Sequence, residues 1–129
     1  KKCLLAFWHH PLFSSGRNGD SPWMRDFYRM LYNANADVIL TGHDHLYERF
    51  APQDADGRTD PTRGIREFVV GTGGVIPFYN FPTVKPNSEV RINDRNGVLK
   101  LTLLPEGYQW EFITAPNGVV ADSGNGTCH

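Results

Sequence analysis

Two apolar stretches decide the fold: residues 3–8, Cys-Leu-Leu-Ala-Phe-Trp, and residues 37–41, Asp-Val-Ile-Leu-Thr. Short continuous runs of this kind are typical of strands buried on both faces of a sheet. Between them, Ser21-Pro22 predicts a helix start, and one apolar helix face follows at Trp23, Phe27, Met30 and Leu31. A strand, a helix and a strand in this order form a βαβ crossover, so we expect the two strands to be parallel neighbours.

The second half of the sequence changes to antiparallel patterns. Residues 67–70 predict a further short strand, which ends at a glycine-rich segment. Residues 98–104 and 108–113 flank a short turn that contains Gly107, which is typical of a β-hairpin, and residues 118–121 predict a last short strand. We therefore predict an α/β fold, with a βαβ unit followed by antiparallel strands and a β-hairpin, in a single domain over residues 1–129.

Composition narrows the class of protein. The 129 residues are 40% hydrophobic and 12% aromatic, which is enough to bury one core and argues against a disordered segment. The formal net charge is −1 and no block of Lys and Arg stands out, so a nucleic-acid partner is not expected. No apolar run approaches the roughly 20 residues that cross a membrane, so a membrane partner is not expected either.

The two cysteines, Cys3 and Cys128, lie almost at the two ends of the sequence. They are either two buried free thiols or one disulfide that fixes the C-terminal tail to the first strand. By the chain-entropy argument, a disulfide closing so long a loop stabilises the fold by up to about 5 kcal/mol. That alternative would indicate an oxidising compartment, and hence a secreted or periplasmic protein.

Histidines directly follow both predicted parallel strands. His9 comes after Trp8, and Gly42-His43-Asp44-His45 comes after residues 37–41. The carboxyl ends of neighbouring parallel strands border one crevice, and residues two apart in extended chain point to the same side. We therefore expect His9, His43 and His45 to face the crevice while Asp44 turns away to solvent. Because neutral imidazole is a good ligand for several transition metals, the sequence predicts a metal site there.

Other residues are expected to support the metal site or the core. Glu48 and Arg49 are placed to hold the imidazole rings in one orientation from behind. Four aromatic side chains are expected in the core: Trp23, Phe27, Trp110 and Phe112.

The same stretches resemble a known family. Residues 9–16, His-His-Pro-Leu-Phe-Ser-Ser-Gly, and residues 42–49, Gly-His-Asp-His-Leu-Tyr-Glu-Arg, resemble the last two motif blocks of calcineurin-like metallophosphoesterases. The likeness is greatest to purple acid phosphatases and their bacterial secreted relatives, which residues 70–74 and 122–129 also resemble. The resemblance implies that the chain is the C-terminal portion of a metallophosphoesterase β-sandwich, and that it is secreted or periplasmic.

The resemblance also implies a chemistry. His9 and His43 would bind one metal ion and His45 a second, with Fe, Zn or Mn as the metals. In such two-metal sites the ions lie about 3.5–4 Å apart and stabilise in-line attack on phosphorus. The expected activity is metal-dependent hydrolysis of phosphate esters, with a phosphorylated molecule as the substrate. His10 and Arg17 are candidate phosphate contacts. For His10 the alternative is a structural or solvated role, since neighbours in extended chain such as His9 and His10 point to opposite sides. For Arg17 the alternative is a solvated loop side chain.

The sequence departs from the family pattern in its missing carboxylates. The family carries its other ligands upstream in Asp-x-His, Gly-Asp and Gly-Asn-His blocks, and this chain contains neither Asp-x-His nor Asn-His. Gly19-Asp20 lies between the two histidine blocks and is interpreted as a turn. The missing ligands would come from an N-terminal half or from a second copy of the chain. The alternative is a remnant without catalytic activity that binds one metal ion, or has only a structural role.

Overall fold

A computed structural model describes residues 3–129 and arranges them in two β-sheets and one α-helix. Lys1 and Lys2, the first two residues of the predicted domain, lie outside the described residues. A 3₁₀ turn, Pro22–Met24, leads into helix α1 (Arg25–Asn33). The strands are β1 (Leu5–Phe7), β2 (Val38–Thr41), β3 (Tyr47–Phe50), β4 (Arg66–Val70), β5 (Ser88–Ile92), β6 (Gly97–Leu104), β7 (Gly107–Thr114) and β8 (Val119–Thr127).

The larger sheet has the order β1-β2-β4-β3-β5 and the smaller sheet the order β6-β7-β8. Strands β1 and β2 are parallel neighbours, which confirms the predicted βαβ crossover. The β6–β7 hairpin is also confirmed, with Leu104 opposite Gly107 at its turn. Strands β3 and β5 were not predicted, and β8 is longer than the predicted residues 118–121. These strands carry charged or small residues at many positions, so an apolar run does not mark them.

Aromatic side chains fill the space between the two sheets, as in a β-sandwich. The larger sheet contributes Val38, Tyr47 and Phe68, and the smaller sheet contributes Tyr108, Trp110 and Phe112. The Tyr47 and Phe112 rings stack with their centroids 4.0 Å apart. The predicted core positions Trp110 and Phe112 are therefore confirmed.

The helix buries only part of the face predicted for it. Trp23 is 69% exposed and Phe27 is 39% exposed, so the prediction that both are core residues is wrong. Tyr28 is instead fully buried, and Met24 and Leu31 pack beside it. Leu31 was the one residue of the predicted face that packs on this core. Residues 24, 28 and 31 have the same helical spacing as 23, 27 and 30, one residue further along. Two adjacent apolar stripes therefore competed, and the one with a buried tyrosine packs on the sheet.

The two ends of the described chain are joined. A disulfide links Cys3 to Cys128, which decides between the two alternatives left by the sequence. Beside it, the buried Asp37 carboxylate accepts hydrogen bonds from the Leu4 and His129 backbone N–H groups, at 2.7 and 2.8 Å. Within residues 3–129, no helix has the length and apolar character that spanning a membrane requires.

Candidate metal centre

His9 and His43 meet because the hydrogen-bond ladder between β1 and β2 continues past the ends of both strands. Trp8 N donates to Leu40 O at 3.1 Å, and Gly42 N donates to His9 O at 3.0 Å. The residues that follow the two strands therefore lie side by side. His9 Nε2 and His43 Nδ1 are 3.0 Å apart, as the crossover topology predicted.

A left-handed backbone turns His43 toward His9. His43 has φ of 63°, which costs a non-glycine residue on the order of 1–3 kcal/mol. The following turn is tightly packed, because a Cβ on Gly71 would lie 1.9 Å from the Asp44 carbonyl oxygen. Only glycine at position 71 allows this approach, so the neighbouring strand end fixes the turn that orients His43.

His10 joins the pair, contrary to the expectation that it points to the opposite side. Its ring centroid lies 4.5 Å from that of His43 and 4.7 Å from that of His9. One ring nitrogen from each of the three histidines lies within 4.8 Å of the others, so they form a group able to hold a metal ion. A bend at residues 9 and 10 replaces the alternation of a strand.

His45 is held separately on the same turn. Its ring stacks on Tyr79 with centroids 4.2 Å apart, and its Nδ1 lies 3.2 Å from Pro77 O. A carbonyl only accepts hydrogen bonds, so this contact requires a proton on Nδ1, and in the neutral ring Nε2 then keeps its lone pair. His45 lies outside the three-histidine group, so of the three rings expected to meet, the structure brings His9 and His43 into one group and holds His45 apart from them.

The surroundings of His43 favour the neutral, ligand form of its imidazole. Burial lowers the pKa of His43, and the neighbouring His10 and His9 lower it further, against an opposing effect of Asp44. Metals bind neutral imidazole, so this shift extends the pH range over which the nitrogen is available. The donor set in this part of the structure is nitrogen only, since none of the carboxylates among residues 3–129 belongs to the histidine group.

Comparisons with known proteins relate the chain to acid phosphatases. No family model matches the chain. An acid phosphatase of Aspergillus ficuum is 26% identical over 93% of this chain and 23% of its own length. Purple acid phosphatase 21 of Arabidopsis thaliana is 35% identical over 55% of this chain and 16% of its own length. The chain thus spans less than a quarter of these relatives.

Solved structures extend the likeness to the fold. A purple acid phosphatase from yellow lupin seeds matches 97% of this chain and 25% of its own chain, with a TM-score of 0.85 at 24% identity. The chain resembles purple acid phosphatases in sequence and in fold. A second structure with this fold, GAP50, the anchor in the inner membrane complex of Plasmodium, matches 94% of this chain and 35% of its own chain, with a TM-score of 0.69 at 21% identity.

In this purple-acid-phosphatase-like chain, two side chains do not take their expected positions behind the histidines. Glu48 accepts hydrogen bonds from Ser15 N and from the Ser88 hydroxyl, and burial raises its pKa. Arg49 pairs with Asp122 and Glu89 at the edge of the sandwich. Neither hydrogen-bonds an imidazole. Pro77 O takes that role for His45, and a backbone carbonyl in a proline-rich loop gives no signal that sequence reasoning can detect.

The expectation that Asp44 is solvent-exposed is also wrong. Asp44 is fully buried, and its carboxylate accepts hydrogen bonds from the Ser14 hydroxyl and from Asn18 N. It does turn away from the histidines, as predicted, but toward the loop that follows β1. Alternation predicted its direction and not its burial, because the loop that covers it is distant in sequence.

Arg17 stands at the exposed tip of that loop. Its guanidinium carbon lies 5.7 Å from the centre of the Tyr79 ring, which stacks on His45. Tyr79 therefore connects Arg17, a candidate phosphate contact, to His45, a candidate metal ligand. The sequence analysis missed this residue, which lies in an irregular segment between β4 and β5.

Proposed function

We propose that this chain supplies the imidazole ligands of a dinuclear metal centre in an enzyme that hydrolyses phosphate esters. The observation that carries the proposal is the 3.0 Å approach of His9 Nε2 and His43 Nδ1 at the ends of two parallel strands. The likeness to acid phosphatases supports the choice of reaction.

The ligand set is assigned from the donor atoms. His9 and His43 would hold one ion and the free Nε2 of His45 would hold the other. His10, which lies in the same group as His9 and His43, is a further candidate to contact a metal ion or the substrate. Imidazole nitrogens suit Fe, Zn and Mn, so these are the metals proposed. Pro77 O, the acceptor of the Nδ1 proton, holds His45 in the required tautomer.

Two side chains of the chain itself would bind the substrate. When bound, the metal ions would supply a hydroxide nucleophile near neutral pH and offset charge on the phosphoryl group. Arg17 would donate hydrogen bonds to phosphoryl oxygens through its forked guanidinium. His10 would donate a further hydrogen bond from the edge of the histidine group.

The carboxylate and amide ligands of a two-metal site must come from elsewhere. An open cleft of about 580 Å³ lies beside His9, between the edge strands β1 and β6, and apolar side chains such as Phe7, Leu40 and Val98 line it. Phe7 is 78% exposed there. We propose that a further segment of the polypeptide, or a second copy of the chain, occupies this cleft and brings the remaining ligands.

A secreted or periplasmic location belongs to the same proposal. The Cys3–Cys128 disulfide supports it, because structural disulfides persist mainly in oxidising compartments.

The test is hydrolysis of p-nitrophenyl phosphate by the full-length protein loaded with Mn²⁺, Zn²⁺ or Fe. His43→Ala should reduce kcat/KM by more than the ~10–100-fold loss typical of residues that only support a ligand. His129→Ala is the matched control, because His129 contacts Asp37 at the opposite end of β2. Equal activity in the two variants would show that His43 is not a ligand.

A second candidate is a module without catalytic activity that binds one metal ion or serves a structural role. The nitrogen-only donor set favours it, and GAP50, described as an anchor, has the same fold. Calorimetric titration of the wild-type full-length protein with Zn²⁺ distinguishes the candidates. Two ions per protein with ester hydrolysis support the enzyme, and one ion or none without hydrolysis supports the module.

A further inference from the structure

The loop between β1 and the helix is held by three buried carboxyl groups, two on strands of the larger sheet and one in the turn that joins β2 to β3. Glu67 on β4 accepts the Leu12 N–H at 3.2 Å, and Glu48 on β3 accepts the Ser15 N–H at 2.8 Å. Asp44 accepts the Asn18 N–H at 3.0 Å. All three carboxylates belong to residues with no exposed surface. The backbone of this loop is therefore satisfied mainly by side chains, which fixes its course residue by residue.

Asp44 makes the most extensive contact of the three. One carboxylate oxygen takes the Asn18 N–H and the other takes the Ser14 hydroxyl, whose oxygen in turn accepts the Gly16 N–H at 3.0 Å. The loop backbone lies directly on the carboxylate, because a Cβ on Gly16 would come within 2.5 Å of the Asp44 Cγ. Hydrogen bonds to a carboxylate are stronger than those between neutral groups, so this contact is strong enough to order the loop.

The position of Asp44 in sequence gives the contact a functional meaning. Asp44 lies between His43 and His45, so one short turn carries both the candidate ligands and the anchor of the loop. Between the anchored residues Ser14 and Asn18, the loop carries Arg17. The Arg17 guanidinium is placed over Tyr79, which stacks on His45. Arg17 is thus connected to the turn that carries His43 and His45 in two ways, through the loop that Asp44 anchors and through Tyr79.

We propose that Asp44 is a positioning residue, which ties the Ser14–Asn18 loop to the turn that carries His43 and His45 and so holds Arg17 where it would contact a phosphate group. The role of Arg17 rests on the proposed function, whereas the tie between the loop and the turn does not. Asp44 acts through Arg17 and does not itself contact substrate.

The experiment compares Arg17→Ala, Asp44→Ala and the double variant in the metal-loaded full-length protein, with inorganic phosphate as the probe. Each single variant should weaken phosphate affinity about tenfold or more, which corresponds to the loss of one charge-assisted hydrogen bond. The double variant should be no weaker than the single ones, because both remove the same contact. KM for p-nitrophenyl phosphate should rise in parallel, with a smaller change in kcat and an unchanged metal content.

Two further variants separate positioning from general destabilisation. Asp44→Asn retains an oxygen for the Asn18 N–H and an amide that donates to Ser14, so it should restore most of the phosphate affinity. Asp122→Asn is the matched control, a mostly buried carboxylate that hydrogen-bonds Tyr47 and Arg49 away from the loop. It should lower stability and leave phosphate affinity unchanged.

Hydrogen exchange provides a readout independent of activity. Asp44→Ala should speed exchange at the Gly16 and Asn18 amides, and slow exchange there in the variant would overturn the tie. Multiplicative losses in the double variant, or lost metal in Asp44→Ala, would overturn the positioning of Arg17. A wild-type protein that binds phosphate without hydrolysing esters would refute the proposed function and leave the positioning of Arg17 intact.

Discussion

The two faces of the larger sheet are built on different principles. Toward the smaller sheet it presents Val38, Tyr47 and Phe68, which pack on aromatic rings. The alternation of side chains places Glu48 and Glu67 on the opposite face, where they are equally buried. The first face excludes water with apolar surface. The second combines buried apolar residues, such as Ile39 and Val69, with carboxyl groups that accept hydrogen bonds from the N–H groups of a loop. Both faces of the sheet are buried because other elements cover them. Whether a buried side chain is apolar or carries a carboxyl group depends on whether an aromatic ring or a backbone N–H group lies opposite it.

The largest effect should follow from a cavity in the apolar face. Phe112 is fully buried and stacks on Tyr47, so Phe112→Ala should lower the free energy of unfolding by about 3–5 kcal/mol. Urea denaturation at constant pH measures the change. Leu103→Ala is the control on the same sheet, since Leu103 is 59% exposed, and it should change stability by less than ~0.5 kcal/mol. Similar losses in both variants would contradict the description of the core.

On the face that carries Glu48 and Glu67, stability should instead depend on pH. Burial raises the pKa of Glu67 to about 8, although hydrogen bonds from the Phe13 and Leu12 backbones and from Thr41 act to lower it. The group is therefore protonated in the folded chain and ionised in the unfolded chain between about pH 4.5 and pH 8. Folding takes up a proton in this range, so the stability contributed by neutral Glu67 is lost as the pH rises.

Glu67→Gln tests this sign, because glutamine keeps the shape and cannot ionise. Relative to the variant, the wild type should lose about 1.4 kcal/mol per pH unit, or roughly 4 kcal/mol between pH 5 and pH 8. Urea midpoints of both proteins across this range give the difference. A constant difference between the two proteins would mean that the Glu67 carboxyl is ionised in the folded state, despite the absence of a partner for its Oε2 within the described residues.

The sequence predicted the apolar parts of the fold better than the buried polar parts. The apolar runs before His9 and His43 placed two parallel strands correctly, and the topology alone brought these two rings together. The hairpin that contributes Trp110 and Phe112 was predicted for the same reason, because an apolar pattern has a period that a single sequence displays.

Buried polar groups have no such period. Asp44 is indistinguishable from a solvent-exposed aspartate until the loop from Ser14 to Asn18 is placed on it. His45 and Tyr79 stack across a long irregular segment, so no local pattern relates them. The helix is an intermediate case. Two apolar stripes were present, and only the packing of Tyr28 on the sheet selects between them.

The smallest predicted effect concerns the fit of the loop on its carboxylate. A Cβ on Gly16 would lie 2.5 Å from Asp44 Cγ and 2.7 Å from Leu46 Cδ2, and both side chains are fully buried. Gly16→Ala should therefore cost about 1–3 kcal/mol, as expected for overpacking. Gly73→Ala is the matched control, since a Cβ there meets nothing within 4 Å, and it should be neutral or stabilise by up to ~1 kcal/mol. Opposite signs in thermal denaturation would mean that the loop and the carboxylate are packed as closely as the aromatic rings on the other face. Stability changes of the same sign in both variants would show that the loop moves to accommodate the added methyl group. The face that carries the carboxyl groups would then be less tightly packed than the aromatic face.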